Sequence, residues 1–195
     1  MQWPSLRLSA GRARVARGNE RPATTLNSGD FTDIYDEQIW SVFGFLGYRV
    51  RGREVAEDLT QTTFEKALRA WGRFDPSRAS ARTWLLAIAR NVLIDYYRRN
   101  GAGLEEPIAD DGELAAARGA VPEPEAPGPS PELERALDTL SRRDREVIAL
   151  RYGGDLNGPE IAELLGLTLA NVQQILSRSL RRLRSELENP ASLAA

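Results

Sequence analysis

Gln173, Gln174, Ser177 and Arg178 stand together near the end of a chain of 195 residues. With Asn171 they line the outward face of a helical stretch. Gln can bond adenine N6/N7 in bidentate fashion, and Arg can do the same to guanine O6/N7 in the major groove. Arg181, Arg182 and Arg184 follow, and between Asp155 and Glu186 the only acids are Glu160 and Glu163. Such a run suits a phosphate backbone. A second basic stretch runs from Arg78 to Arg99, with five Arg against one Asp, and ends Asp95-Tyr96-Tyr97-Arg98-Arg99. Basic residues interleaved with aromatics suit a single strand whose bases stack while its phosphates are neutralised. The competing reading makes Trp84 and Tyr96 core residues and the arginines merely solvated. Trp84 belongs to the core in either case.

Other chemistries are closed to this composition. The chain has no histidine and no cysteine. Disulfides, Cys/His zinc sites and Ser-His-Asp or Cys-His nucleophile systems are therefore impossible. Intrinsic catalysis would fall to carboxylates, tyrosines, a hard metal or Lys66, the single lysine among 26 basic residues. Asp58, Glu65 and Asp95 are available to a carboxylate-metal nuclease, but they form no spaced ligand set within one local motif. No cofactor is expected. No apolar run is long enough to span a bilayer.

The elements that must position these residues read as helices. Asp30 can cap a first helix with Phe31, Ile34, Tyr35, Trp40, Phe43 and Leu46 at helical spacing. A second spans about Arg53 to Trp71, with Val55, Leu59, Leu68 and Trp71 among its apolar positions. Asp75-Pro76 breaks the chain. A third runs from about Ser80 to Arg99, with Trp84, Leu85, Ile88, Val92 and Tyr96 on its apolar side. Ser130-Pro131 starts a further helix, and Ser141 with Asp144 caps another through Val147, Ile148 and Leu150. Gly153-Gly154 is a break. Asn157 with Glu160 opens a short helix from Ile161 to Leu165, Gly166 supplies a turn, and Thr168 caps the last helix to about Leu187. The spacing Ala162, Gly166, Val172, Ile175 is that of a helix-turn-helix.

Charge divides the chain further. Net charge is −2 overall, but residues 101–131 carry seven acids and one Arg. That stretch also holds six of the eleven prolines, while twelve of fourteen aromatics lie within 30–100. The expectation is an all-α protein of two small helical domains, 30–100 and 131–188, joined by a flexible acidic linker, 101–130. Residues 1–29, with five Arg and one Glu, read as a basic unstructured extension, and 189–195 as a tail.

Three segments carry a family resemblance. Phe74-Asp75-Pro76-Ser77-Arg78-Ala79-Ser80-Ala81-Arg82-Thr83-Trp84-Leu85-Leu86-Ala87-Ile88-Ala89-Arg90-Asn91 resembles the DNA-melting segment of bacterial sigma factors. Ala56-Glu57-Asp58-Leu59-Thr60-Gln61-Thr62-Thr63-Phe64 resembles their polymerase-binding helix. Leu140 to Tyr152, with the helix-turn-helix after it, resembles their region four. The order matches the small two-domain members of the sigma-70 family, the extracytoplasmic-function group.

The resemblance implies a transcription factor in the cytoplasm with no covalent chemistry of its own. Its partners would be core RNA polymerase, through the clamp helices of the largest subunit and the flap, promoter DNA and an anti-sigma factor, without membrane insertion. Asp58, Gln61 and Thr62 would face the clamp helices. Phe74, Ser80, Arg82, Arg90, Asn91, Arg98 and Arg99 would serve the −10 element, a flipped base sitting in a pocket of the loop 73–82. Thr168, Asn171, Gln173, Gln174, Ser177, Arg178, Arg181 and Arg182 would serve the −35 element. The acidic linker would follow the RNA exit path. Leu85 stands where primary sigma factors carry a second tryptophan, which implies one wedge fewer for melting. Ile175 occupies a position often basic in the family, which implies one phosphate contact fewer. A helix-turn-helix regulator that is no polymerase subunit would share residues 157–184 but leaves 56–64 and 74–91 unexplained.

Overall fold

Side-chain caps set most of the helix starts. In the computed structural model, residues 28–100 and 129–188 are described, and among them there are helices and no strands. The expectations for 1–27, 101–128 and 189–195 lie outside the described residues. The first helix, α1, spans Ser28–Gly47. It starts before Asp30, which therefore lies inside the first turn and not at the cap. The second, α2, spans Arg53–Ala70 and ends in a 3-10 turn, Trp71–Arg73. The third, α3, spans Ala81–Arg99, with the Ser80 hydroxyl accepting from the Thr83 amide at 3.1 Å. The two orphan-donor caps that follow use the same chemistry. Ser130 caps α4, Pro131–Asp138, and Ser141 caps α5, Arg142–Ile148.

Past α5 the chain does not break at once. It winds into one π-helical turn, Ala149–Gly153, before Gly154. Asn157 and Glu160 form a reciprocal capping box that opens α6, Gly158–Leu165: Glu160 N donates to Asn157 Oδ1 at 3.0 Å, and Asn157 N to Glu160 Oε2 at 2.8 Å. Gly166 ends α6 in the left-handed region, φ 66° and ψ 33°. The last helix, α7, spans Leu169–Glu188.

The helices α1 to α3 pack around Val42, Phe45, Leu46, Phe64 and Leu93. An aromatic group closes their far end. Trp71 stacks on Phe74 at 5.1 Å between centroids, and Trp84 lies 4.9 Å from Phe74. Trp84 is half-buried there, a rim position. Trp40 is 62% exposed. It shares the helical spacing of the core residues, yet among the described residues it stays exposed, its ring set edge-on to Phe43 of the same helix. Leu68 is likewise exposed.

The two helical halves are docked. Leu150, Leu156, Ile161 and Val172 belong to the same hydrophobic cluster as Phe45 and Leu86. A smaller cluster of Ala136, Leu137, Leu140, Ile148 and Leu183 packs the C-terminal half, with Tyr48, just past the end of α1, against it. Backbone touches backbone where α1 meets the π-turn. A Cβ placed on Gly44 would lie 2.6 Å from the Gly153 carbonyl oxygen, so both positions must be glycine for this approach.

Candidate nucleic-acid interface

The helix-turn-helix is built from α6, Gly166 and α7. The turn is closed by Leu167 N donating to Ala162 O at 2.8 Å. Asn171 N donates to the Thr168 hydroxyl at 3.2 Å, so Thr168 caps α7. Val172, Ile175 and Leu183 are buried on the inner face. At 3.6 residues per turn this leaves the opposite face for Asn171, Gln173, Gln174, Ser177, Arg178, Arg181 and Arg182, all exposed. Arg178 Nη2 also reaches Asp144 Oδ1 at 2.6 Å, tying α7 to α5. Ile175 is only 2% exposed. The Ile175 side chain faces the protein interior.

The N-terminal residues fall into three groups. Asp58, Gln61 and Thr62 lie three and four residues apart on the outer side of α2. Gln61 Nε2 donates to Glu65 at 3.2 Å, and the Thr62 hydroxyl donates to the Asp58 carbonyl at 2.8 Å. Asn91, Arg98 and Arg99 are exposed on α3, Arg98 pairing with Asp95 at 3.0 Å. Arg82 and Arg90 are half-buried and held by ion pairs to the C-terminal half. Ser80 is accounted for by its cap. Phe74 is 9% exposed, its ring face covered by Trp71. It supports the loop from within and presents no ring to the surface. Leu85 is fully buried too, so its side chain belongs to the core.

A cavity of about 320 Å³ opens between the end of α2 and the middle of α3. It is lined by Lys66, Arg69, Ala70, Arg73, Ile88 and Asn91. Arg73 is its single lining residue from the loop in which a pocket was expected. Ala70 and Ile88 give it apolar walls, and four donor-bearing side chains ring it. The sequence reading missed Lys66, Arg69, Ala70 and Ile88. Each pair, Arg69 with Arg73 and Ile88 with Asn91, has helical spacing, but nothing in the sequence says that the two helices face each other there. Lys66 also bonds Asp95 at 3.2 Å, bridging α2 to α3 below the cavity. In the loop, Asp75 accepts from the hydroxyl of Ser77 at 2.6 Å and from its amide at 3.0 Å. These two bonds hold the Asp75 carboxyl below its ordinary range.

Comparison with known proteins agrees with this arrangement. A family model for sigma-70 region 2 matches residues 40–103, and one for sigma-70 region 4 matches residues 136–185. The ECF RNA polymerase sigma factor SigM of Bacillus subtilis is 30% identical over 157 residues, which is 78% of this chain and 92% of SigM. The ECF RNA polymerase sigma factor BldN of Streptomyces coelicolor is 30% identical over 165 residues, 83% of this chain and 61% of BldN. The sigma factor RpoE, solved in complex with the anti-sigma factor NepR from Bartonella quintana, shares the fold. Its TM-score is 0.65 at 23% identity, over 82% of this chain and 97% of that one. The chain belongs to the sigma-70 family. Within that family it is an extracytoplasmic-function (ECF) sigma factor, all-α and built of two helical domains. Among the described residues no helix is long and apolar enough to cross a membrane.

Proposed function

We propose that this ECF sigma factor divides promoter recognition between its halves, with domain limits near 30–100 and 131–188. The face of α7 bearing Asn171, Gln173, Gln174, Ser177 and Arg178 enters the major groove of the −35 element. Thr168, Arg181 and Arg182 contact its phosphates. The carrying observation is the division of α7 itself: an inner row of Val172, Ile175 and Leu183 fixes the helix, so the polar row faces outward, toward where bases would be read. Two adjacent glutamines favour adenines.

The N-terminal half holds the opened −10 strand. A base turned out of the duplex fits the cavity between α2 and α3, where Ala70 and Ile88 cover its face and Asn91 and Arg73 reach its edge. Unstacking costs a few kcal/mol, which apolar walls and a cationic rim would offset. Arg82, Arg90, Arg98 and Arg99 carry the strand's phosphates, while Ser80 and Phe74 shape the loop beside them. Asp58, Gln61 and Thr62 meet the clamp helices of core RNA polymerase, and the C-terminal half meets the flap. The protein works in the cytoplasm and performs no covalent step. An anti-sigma partner is proposed because RpoE was solved with one.

Run-off transcription with purified core polymerase tests the reading. A promoter-specific transcript should require both components. DNA binding by this chain alone, with no transcript from the reconstituted mixture, favours a free-standing helix-turn-helix regulator.

A further inference from the structure

The side chains of the cavity between α2 and α3 offer donors almost without acceptors. Lys66, Arg69 and Arg73 line it with ammonium and guanidinium groups, and no carboxylate lines it. Two acids of the same helices are taken elsewhere. Glu65 accepts from Gln61 at 3.2 Å and from Arg69 at 3.5 Å. Asp95 accepts from Lys66 at 3.2 Å and from Arg98 at 3.0 Å, and it lines a separate cavity further along α3. Arg73 is exposed and makes no ion pair among the described residues. Asn91 brings the single side-chain acceptor of the lining, its amide oxygen.

We propose that the base held in this cavity is thymine, selected by Arg73 and Asn91. This rests on the reading that a −10 base seats here. A flipped base is read on its pairing edge. That edge of thymine has two carbonyl acceptors with one N–H between them. The cations meet the carbonyls, and the Asn91 oxygen takes the one proton. No other base balances in this way. Adenine and cytosine each carry an amino group, whose protons would face guanidinium and ammonium donors. Guanine can offer O6 and N7 to an Arg, but its ring N–H and amino protons then outnumber the acceptor. A donor set against a donor leaves both unpaired, and unpaired groups in a site are what make it discriminate.

The walls add a second criterion. Each helix supplies an apolar wall and a polar reader three residues further on. On α3 these are Ile88 and Asn91, which share a helix face. On the other side they are Ala70 and Arg73, spanned by the 3-10 turn, in which side chains three apart eclipse. The C5 methyl of thymine is the group of a base edge that takes apolar contact, and Ala70 and Ile88 provide it. Thymine is therefore preferred over uracil as well. Lys66 and Arg69 each share their charge with a carboxylate, which leaves Arg73 as the cation that reads the base.

The test uses the full chain assembled with core RNA polymerase. A DNA library, duplex upstream and single-stranded across the −10 region, is randomised throughout and selected for holoenzyme binding. Thymine should be enriched at one single-stranded position. Changing it to adenine, cytosine or guanine should weaken binding about tenfold, the scale of one good base contact. Uracil should weaken it about fourfold, through loss of the methyl. Asn91→Asp removes the amide donor and adds an acceptor, so the preference should move to cytosine or adenine. Arg73→Gln should flatten it, and both variants should keep the parental circular dichroism. Location is read separately, with 4-thiothymidine carried at each single-stranded position in turn and irradiated. It should cross-link to peptides bearing Arg73 or Asn91 at the selected position. Cross-linking only outside the cavity sinks the seating of a base there, and the proposal with it. Cross-linking inside the cavity with another base preferred, or none, overturns the thymine assignment and leaves the seating intact. A thymine preference that neither variant moves also overturns the assignment.

Discussion

Replacing Gly166 by alanine isolates one term in the stability of the helix-turn-helix. The residue sits at φ 66°, ψ 33°, and a Cβ added there meets no atom within 4 Å. No clash and no new contact enter, so the effect is conformational alone. A left-handed L-residue costs about 1–2 kcal/mol. The unfolded chain meanwhile loses freedom when glycine becomes alanine, which returns about 0.4–1 kcal/mol. The net destabilisation should be roughly 0.5–1 kcal/mol, or a few degrees in Tm for a chain of this size. Gly166→Asn should cost less than alanine, because a short amide tolerates this region by bonding locally. Urea titrations followed by circular dichroism would read the change as a shift in midpoint at constant m value. A loss above about 3 kcal/mol would mean that the turn is set by packing and not by dihedral preference. Asparagine costing more than alanine would equally refute the reasoning.

Four further outcomes are expected. Val172→Ala, in a fully buried position, should destabilise the C-terminal half by roughly 2 kcal/mol in the same titration, from lost transfer energy and a small cavity. Gln173→Ala should cost about 1–3 kcal/mol at one base pair of the −35 element and relax the preference there, which binding-site selection would display; a selection returning no adenine preference for the parent would sink the glutamine assignment. Arg181→Ala should weaken promoter binding by the assembled holoenzyme without changing sequence preference, and flatten log K against log salt by about 0.9. Ser77→Ala should raise the titration midpoint of Asp75, followed by NMR, toward the free value of about 3.9. The sign follows from the lowered folded pKa: the loop's gain from this carboxylate is present above the ordinary value and lost as pH falls through the lowered one.

Local signals were the ones legible in the sequence. Ser80, Ser130, Ser141, Asn157 with Glu160, and Thr168 each cap a helix in the structure, and Gly166 takes the left-handed turn. A cap is a contact over three residues, so the residues near it in the chain decide it. The same holds for the polar face of α7, where one apolar row dictates which residues are left outward. Trp40 shows where the method stops. A tryptophan at core spacing lies 62% exposed, and helical spacing alone does not say which face a neighbouring element will cover. Ile175 lies inside, where the helix-turn-helix spacing puts it.

The chain's own sequence thus determined an all-α protein, two helical halves, a helix-turn-helix and the outward polar face of that motif. All of these depend on periodicity and on groups a few residues apart. Tertiary structure alone decided the cavity lined by Ala70, Arg73, Ile88 and Asn91, and the pairing of Arg82 and Arg90 with Asp155 and Glu146. These contacts join residues dozens of positions apart, where the pattern within either helix is silent. The two ion pairs form across a seam where Gly44 and Gly153 let two backbones touch, a condition set by both halves at once.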